Sequence, residues 1–204
     1  NVPDHVANPE EPAVFDGPIE YAREHGQEIV LATDPDGDRM GCAAPLTLAE
    51  GSSWQVFNGN QLTALLADFA LERRSRAGTL QPDDYVIKTL VTTELMRRIA
   101  DSHGVRTFGQ LLVGFKWICG TIDEQGPDNF VFGSEESHGF LVGTHARDKD
   151  GTVACLLMAE LAAELKSEGK SLHEKLDSLY WQHGFHHERL WTIRTEGSGG
   201  MTGM

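Results

Sequence analysis

Ile29-Val30-Leu31-Ala32-Thr33-Asp34-Pro35-Asp36-Gly37-Asp38-Arg39 decides how the chain reads, because an unbroken apolar run passes straight into carboxylates at alternate positions. The run has the length of a strand, and Pro35 and Gly37 mark the loop that it delivers to a sheet edge. Alternate residues of an extended loop point the same way. Asp34, Asp36 and Asp38 therefore turn their oxygens towards one point, and oxygen is the donor that a hard cation such as Mg2+ takes. Positions left open on the ion suit a phosphate oxygen or water, and Arg39 stands where it can hold a second phosphate oxygen. A calcium EF-hand needs Gly at the sixth loop position and Glu at the twelfth, where this chain has Arg39 and Pro45. A solvated acidic turn is the remaining rival. The preceding strand and the adjacent arginine favour the cation.

Working outward, the 204 residues suffice for one large or two small domains, and an apolar share of 40% supports a packed core. Acidic residues outnumber basic ones 31 to 17, giving a net charge of -14, which argues against a nucleic-acid partner because a phosphate backbone needs a basic stripe. A small anionic substrate stays compatible, since a bound cation inverts the local field. The cysteines Cys42, Cys119 and Cys155 are odd in number and widely spaced, which reads as reduced thiols in a cytoplasmic protein. No run is long enough for a membrane span, and the first residues do not open a signal peptide. Without an initiator Met, and with a glycine-rich tail from Glu196 onward, the chain reads as an excised piece.

The elements follow from local pattern. Asp16 is expected to cap a helix running to about His25, with Ile19, Tyr21 and Ala22 on its apolar side and Gly26 at its end. Strand 28–33, the acidic loop and an apolar segment from Met40 to Ala44 come next. The pattern weakens over 45–53, and a new unit is expected near Trp54. Asn58 is placed to cap a helix that buries Leu62, Leu65, Leu66 and Phe69. Tyr85 to Leu90 reads as a strand, and Thr92 or Thr93 caps a helix with Leu95, Met96 and Ile99 inward. Strand Val105 to Phe108, a connecting segment Leu111 to Ile118, and strand Asn129 to Gly133 follow. Gly133 to Gly139 turns the chain back into Phe140 to Gly143. Helices after Asp150 and from Ser171 to about His183 complete the order. Alternating strands and helices predict an α/β fold with a three-layer α/β/α domain and mixed strand direction over 54–185, beside a partial α/β domain over 1–49. Residues 186–204 read as a linker.

Further polar groups fall on loops at strand ends, where open α/β sheets bind ligands: Lys88, Glu135-Glu136-Ser137 and Arg147-Asp148-Lys149-Asp150. Glu135 and Ser137, two apart, suit adjacent hydroxyls of a sugar, with an ordinary hydrated turn as the alternative reading. The cluster His183, His186, His187 and Glu188 lacks the H-E-x-x-H order of a zinc site and reads as a solvated helix end. Ser137 beside His138 is not a catalytic dyad, because sequence neighbours rarely form one and no G-x-S-x-G elbow is present. Phe115 and Trp117 read as core aromatics, with Lys116 between them in reach of a ligand.

Taken together, N-P-E-E-P at 8–12, T-D-P-D-G-D-R at 33–39 with G-N-Q-L at 59–62, G-F-K-W-I at 114–118, and G-S-E-E-S-H-G at 133–139 with R-D-K-D-G at 147–151 resemble the α-D-phosphohexomutases. The pattern looks most like bacterial phosphoglucomutases and the related phosphopentomutases. The resemblance implies a four-domain enzyme, with a phosphoserine in the first domain, a Mg2+ loop in the second, a sugar-selecting loop in the third and a phosphate clamp in the fourth. It implies that Asp34, Asp36 and Asp38 are metal ligands and that Arg39 adjoins them. Glu135 and Ser137 match the sugar loop, Lys116 and Arg147 are candidates for substrate contact, and Lys88 or Lys149 for proton transfer. A lysine in that role would need a lowered pKa, which Arg147 or the metal is expected to supply. The implied partners are hexose phosphate, hexose bisphosphate and the first and fourth domains of the same protein. No nucleophile stretch like Thr-Ala-Ser-His-Asn-Pro is present, so this piece alone is expected to be inactive. A stand-alone module that binds a sugar phosphate or a divalent cation without chemistry is the alternative.

Overall fold

The computed structural model describes residues 7–189, so most of the 186–204 segment and the glycine-rich tail lie outside the described residues. Pro12 opens a 3-10 turn, Pro12–Phe15, that runs into helix α1, Asp16–Glu24. Asp16 is therefore the first helical residue and not its cap, since the proline has already set helical geometry before it. Ala22 is buried, but Tyr21 lies on the surface and stacks on His25.

Strands β1 (Val30–Thr33), β2 (Met40–Pro45) and β3 (Trp54–Val56) form an antiparallel sheet in that order. The segment between β2 and β3 is a closed turn, with the Leu46 amide donating to the Ser53 carbonyl at 2.8 Å. Trp54 thus pairs with Pro45 in the first sheet. The chain leaves that sheet at Phe57.

Helix α2, Gly59–Arg76, begins with a capping box in which Asn58 and Gln61 satisfy each other's amides. The chain then alternates β4 (Tyr85–Thr89), α3 (Glu94–Ser102), β5 (Arg106–Leu111), α4 (Phe115–Gln125), β6 (Phe130–Glu135) and β7 (Gly139–Val142), and closes with α5 (Gly151–Ser167) and α6 (Leu172–His183). Thr93 caps α3, Asp150 caps α5, and Ser171 with Glu174 forms a second capping box on α6. The second sheet has the order β5-β4-β6-β7, parallel except for the β6–β7 hairpin. Its strand direction is mixed.

Helix α4 occupies part of the stretch that reads as a connection. Gly114 supplies no side-chain cap, and Gly120 weakens the local helical signal. Phe115, Ile118 and Ile122 nevertheless recur at three and four and bury against Tyr85, Ile87, Phe130 and Leu141. Tertiary packing makes this helix.

On the opposite face of the second sheet, Val86, Phe132 and Phe140 join Leu62, Leu65 and Leu66 of α2. Met40, Cys42 and Ala44 of β2, Met158 of α5 and Leu176 of α6 belong to the same cluster. Helices cover both faces of the second sheet, which gives the three-layer α/β/α arrangement, and a continuous apolar core ties the first sheet to it.

Helix α2 starts directly under the β6–β7 turn. A Cβ on Gly59 would fall inside the Glu136 carbonyl and against the His138 ring, so only glycine lets helix and turn approach this closely. Gly59→Ala is expected to lower stability in urea-induced unfolding by about 1–3 kcal/mol, the range for forced overpacking. An unchanged midpoint would show that the turn can move away.

Candidate functional site

Asp34, Asp36 and Asp38 converge: one ligand atom from each lies within 4.8 Å of the others, and theirs is the only group of this kind among the described residues. Asp34 is buried, Asp38 half-buried and Asp36 exposed. A turn closed by the Gly37 amide on the Asp34 carbonyl, 3.1 Å, holds the loop, and the Gly37 carbonyl in turn accepts from the Gly151 amide at 3.1 Å. The start of α5 is thereby packed against the acidic loop. Its amide dipoles favour the negative charge there.

Arg39 grips Asp34 twice, its backbone amide donating to Oδ1 at 3.0 Å and its Nε to Oδ2 at 2.7 Å. Burial opposes ionisation of Asp34, but these bonds outweigh it and lower the pKa from 3.8 to about 2. Nη1 of Arg39 reaches Glu10 Oε1 at 2.6 Å and Asn8 Oδ1 at 3.4 Å.

The residues expected to form a sugar loop lie alongside. The Met40 amide donates to the His138 carbonyl at 3.1 Å, His138 Nδ1 donates to the Met40 carbonyl at 3.1 Å, and Arg39 bridges Gly139 as an antiparallel pair. Glu136, Ser137 and His138 form the hairpin loop between paired Glu135 and Gly139, and His138 takes the left-handed φ of 65° that closes a three-residue connection. Glu135 is buried, and its Oε1 accepts from the Gly114 amide at 2.6 Å. Burial raises its carboxyl pKa, with the neighbouring Glu136 charge adding to the rise. Glu136 accepts from the Thr89 and Thr92 hydroxyls, each at 3.2 Å, and so anchors the loop to the end of β4.

Lys149 joins the two halves. Its Nζ meets Asp38 Oδ2 at 2.8 Å, its stem lies over Gly139, and its ammonium stands 5.8 Å from the centre of the Phe115 ring. Burial acts to lower its pKa, yet the Asp38 and Asp148 carboxylates overcome that and raise it, the reverse of the lowered value expected for a proton-transfer lysine. Arg147 does not supply such a shift, because it turns aside to Asp123 of α4 at 2.9 Å. Lys88 is fully enclosed, giving its ammonium protons to the Thr89 and Thr92 carbonyls and to Glu94 Oε1 at 2.7 Å. Lys116 is exposed and sits 5.2 Å over the Trp117 ring; Trp117 is 43% exposed rather than in the core, because Phe115 and Ile118 take the buried face of α4.

Sequence reading did not single out His138 as the link between the loops or Glu10 as a partner of Arg39. A histidine at a left-handed turn position was the available signal for the first. The His183 to Glu188 region assembles no metal-ligating group, and its rings pair locally, His186 with the Gly184 carbonyl and His187 with Phe185. The cysteines are free thiols, and no described helix is long and apolar enough to cross a membrane. A cavity of about 240 Å³ bordered by Ile29, Ala44 and Ala162 lies at the far ends of β1 and β2 from the acidic loop.

The phosphoglucomutase/phosphomannomutase alpha/beta/alpha domain II pattern matches residues 1–46, and the domain III pattern of the same family matches residues 58–183. The chain belongs to the phosphoglucomutase/phosphomannomutase family. A phosphoglucomutase of Staphylococcus epidermidis is 36% identical over 195 residues, covering 95% of this chain and 34% of that protein. One from Staphylococcus aureus strain N315 is 34% identical over the same length. This chain thus spans about a third of the curated relatives it matches. A Thermus thermophilus crystal structure that carries the phosphomannomutase name superposes with a TM-score of 0.64 at 26% identity, over 86% of this chain and 36% of that one. A family member from Burkholderia thailandensis, at 23% identity and TM-score 0.62 over 87% of this chain and 34% of that one, shares the fold.

The Asp34–Arg39 pair fixes a pH dependence. A folded pKa below the unfolded value means that ionised Asp34 adds stability above pH 3.8, and that this contribution is lost as pH falls through about 2. Urea unfolding is expected to show a steeper acid decline for the native chain than for Asp34→Asn across that window. Parallel curves would show that Arg39 does not hold the carboxylate.

Proposed function

We propose that this family member is the metal- and sugar-recognising part of a phosphohexomutase. The full-length protein would interconvert hexose 1-phosphate and hexose 6-phosphate, with glucose or mannose as the sugar. A phosphoserine and the phosphate-clamp domain would come from elsewhere in the protein, and the reaction would pass through a hexose bisphosphate that reorients between the two phosphoryl transfers. The observation that carries this reading is the direct union of the aspartate loop with the Glu135–Ser137 turn through Met40 and His138, with Lys149 reaching both.

The donor set fits Mg2+, since Asp34, Asp36 and Asp38 offer hard oxygen atoms close together and none of the soft ligands that select other metals. When bound there, the ion supplies positive charge to a phosphoryl oxygen. The remaining roles fall to the chain's own side chains. Glu135, held by the Gly114 amide, and Ser137 hydrogen-bond adjacent sugar hydroxyls. Arg39 offers guanidinium protons to a phosphate oxygen. We assign proton transfer to Lys149 on its position, with Nζ 2.8 Å from Asp38 and its stem against Gly139 of the turn. Lys88 braces the Thr89–Thr92 loop beneath Glu136. Lys116, exposed on α4, is available to outer parts of the substrate, and Arg147 would have to leave Asp123 to reach them.

Asp36 is the member of the trio whose loss disturbs the fold least, being exposed. Asp36→Asn in the full-length protein is expected to abolish formation of glucose 6-phosphate from glucose 1-phosphate while leaving the thermal unfolding midpoint unchanged. Undiminished turnover would refute the assignment.

A further inference from the structure

Asn8-Pro9-Glu10-Glu11-Pro12 precedes the first helix and is remote in sequence from the acidic loop, yet its side chains end on it. Pro9 is buried, and there is no room for a side chain on Gly41 of β2 because the Pro9 ring lies 2.8 Å from where its Cβ would stand. The segment is therefore seated on the strand that leaves the acidic loop. Asn8 fixes its local shape, accepting the Glu10 amide on Oδ1 at 3.1 Å and the Glu11 amide on its carbonyl at 3.0 Å. Glu10 is thus presented by a held backbone, unlike the mobile carboxylate of an ordinary surface pair.

Its partner is Arg39. The guanidinium is fixed at two corners, Nε on Asp34 Oδ2 at 2.7 Å and Nη1 on Glu10 Oε1 at 2.6 Å, with Asn8 Oδ1 a longer second acceptor at 3.4 Å. Nη2 carries no hydrogen bond to a described residue. A planar fork tied at Nε and Nη1 cannot swing, so the direction of Nη2 is set as well.

Charge gives the second argument. Five carboxylates, Glu10, Asp34, Asp36, Asp38 and Asp148, surround two cations, Arg39 and Lys149, a formal excess of three negative charges. A divalent ion offsets most of that excess. Without Glu10 it falls to two, and the whole Arg39 charge would act on Asp34.

We propose that Glu10, steadied by Asn8, is a positioning residue for the aspartate loop. It holds Arg39 so that one edge grips Asp34 while Nη2 stays available to an anionic oxygen, and it offsets the arginine charge that competes with a divalent cation for Asp34. The proposal rests on the reading of the loop as a divalent-cation site. It gives Asn8-Pro9-Glu10 a part in the chemistry, acting through Arg39.

The test is Mn2+ binding to the full-length protein, followed by loss of the free-ion electron paramagnetic resonance signal, with no substrate present. Glu10→Ala is expected to weaken Mn2+ binding about tenfold, the scale on which outer-shell partners act. Glu10→Gln, which keeps an acceptor for Nη1 but not the charge, should fall between the two and guards against a folding defect in the alanine variant. In an Arg39→Met background the Glu10→Ala step should vanish, because groups acting through a shared partner are not additive. Equal affinity in the native protein and both Glu10 variants, or an undiminished loss in the Arg39→Met background, overturns the proposal while leaving the cation site standing. No Mn2+ uptake by the native protein removes the cation reading itself and this proposal with it.

Discussion

The reciprocal pair of hydrogen bonds between Met40 and His138 is what makes a site out of two loops. The acidic loop hangs from an antiparallel sheet and the β6–β7 turn from a mixed one, and the sheets share no continuous strand ladder. A shared apolar core sets them side by side but does not by itself fix loop against loop. The Met40 and His138 backbones, with the His138 ring, supply that register over a few ångströms. Holding a non-glycine residue at a left-handed φ costs about 1 kcal/mol. Burial of the imidazole and its bond to Met40 offset that cost, and they explain why a histidine stands where glycine would be easier.

Around that junction the electrostatics are local. A chain with a net charge of -14 would repel a phosphorylated sugar if its field acted as a whole. Screening limits exposed charges to about 8–10 Å, so the residues that decide are those within the cluster. There Arg39 and Lys149 are held by carboxylates, which keeps both cations beside the acidic loop. The same pairing restrains the aspartates from splaying apart under their own repulsion. Helix α5 adds its N-terminal dipole through the Gly151 contact, so the loop is balanced from three directions.

Much of this was legible from residue order because its determinants are local. Alternating carboxylates after an apolar run, a cap at Asn58 and one at Thr92 or Thr93, helix starts after Asp150 and at Ser171, and helical spacing in α2 and α3 are written in a few neighbouring residues. What escaped depends on distant partners. Helix α4 is capped by a glycine and exists because its apolar stripe finds a sheet face. Trp54 follows a weak, loop-like stretch, yet backbone pairing with Pro45 draws it into the first sheet. Arg147 follows β7 but is captured by Asp123, and Trp117 is displaced outward because its neighbours fill the core. Glu10 and Arg39 are linked over 29 positions, a relation that no periodicity announces.

Two lysines looked alike in sequence, and their surroundings separate them. Lys88 is fully buried, and each of its acceptors belongs to the end of β4, the loop after it or the helix that follows, so its charge braces that segment. Lys149 lies at the seam, with its stem against Gly139, its head on Asp38 and an aromatic ring behind it. A carboxylate at 2.8 Å stabilises the ammonium, so in this arrangement Lys149 cannot wait as a neutral base. A divalent ion on the aspartate trio would draw on that same carboxylate, so the proposed cation site and the proposed role of Lys149 are tied to one side chain, Asp38.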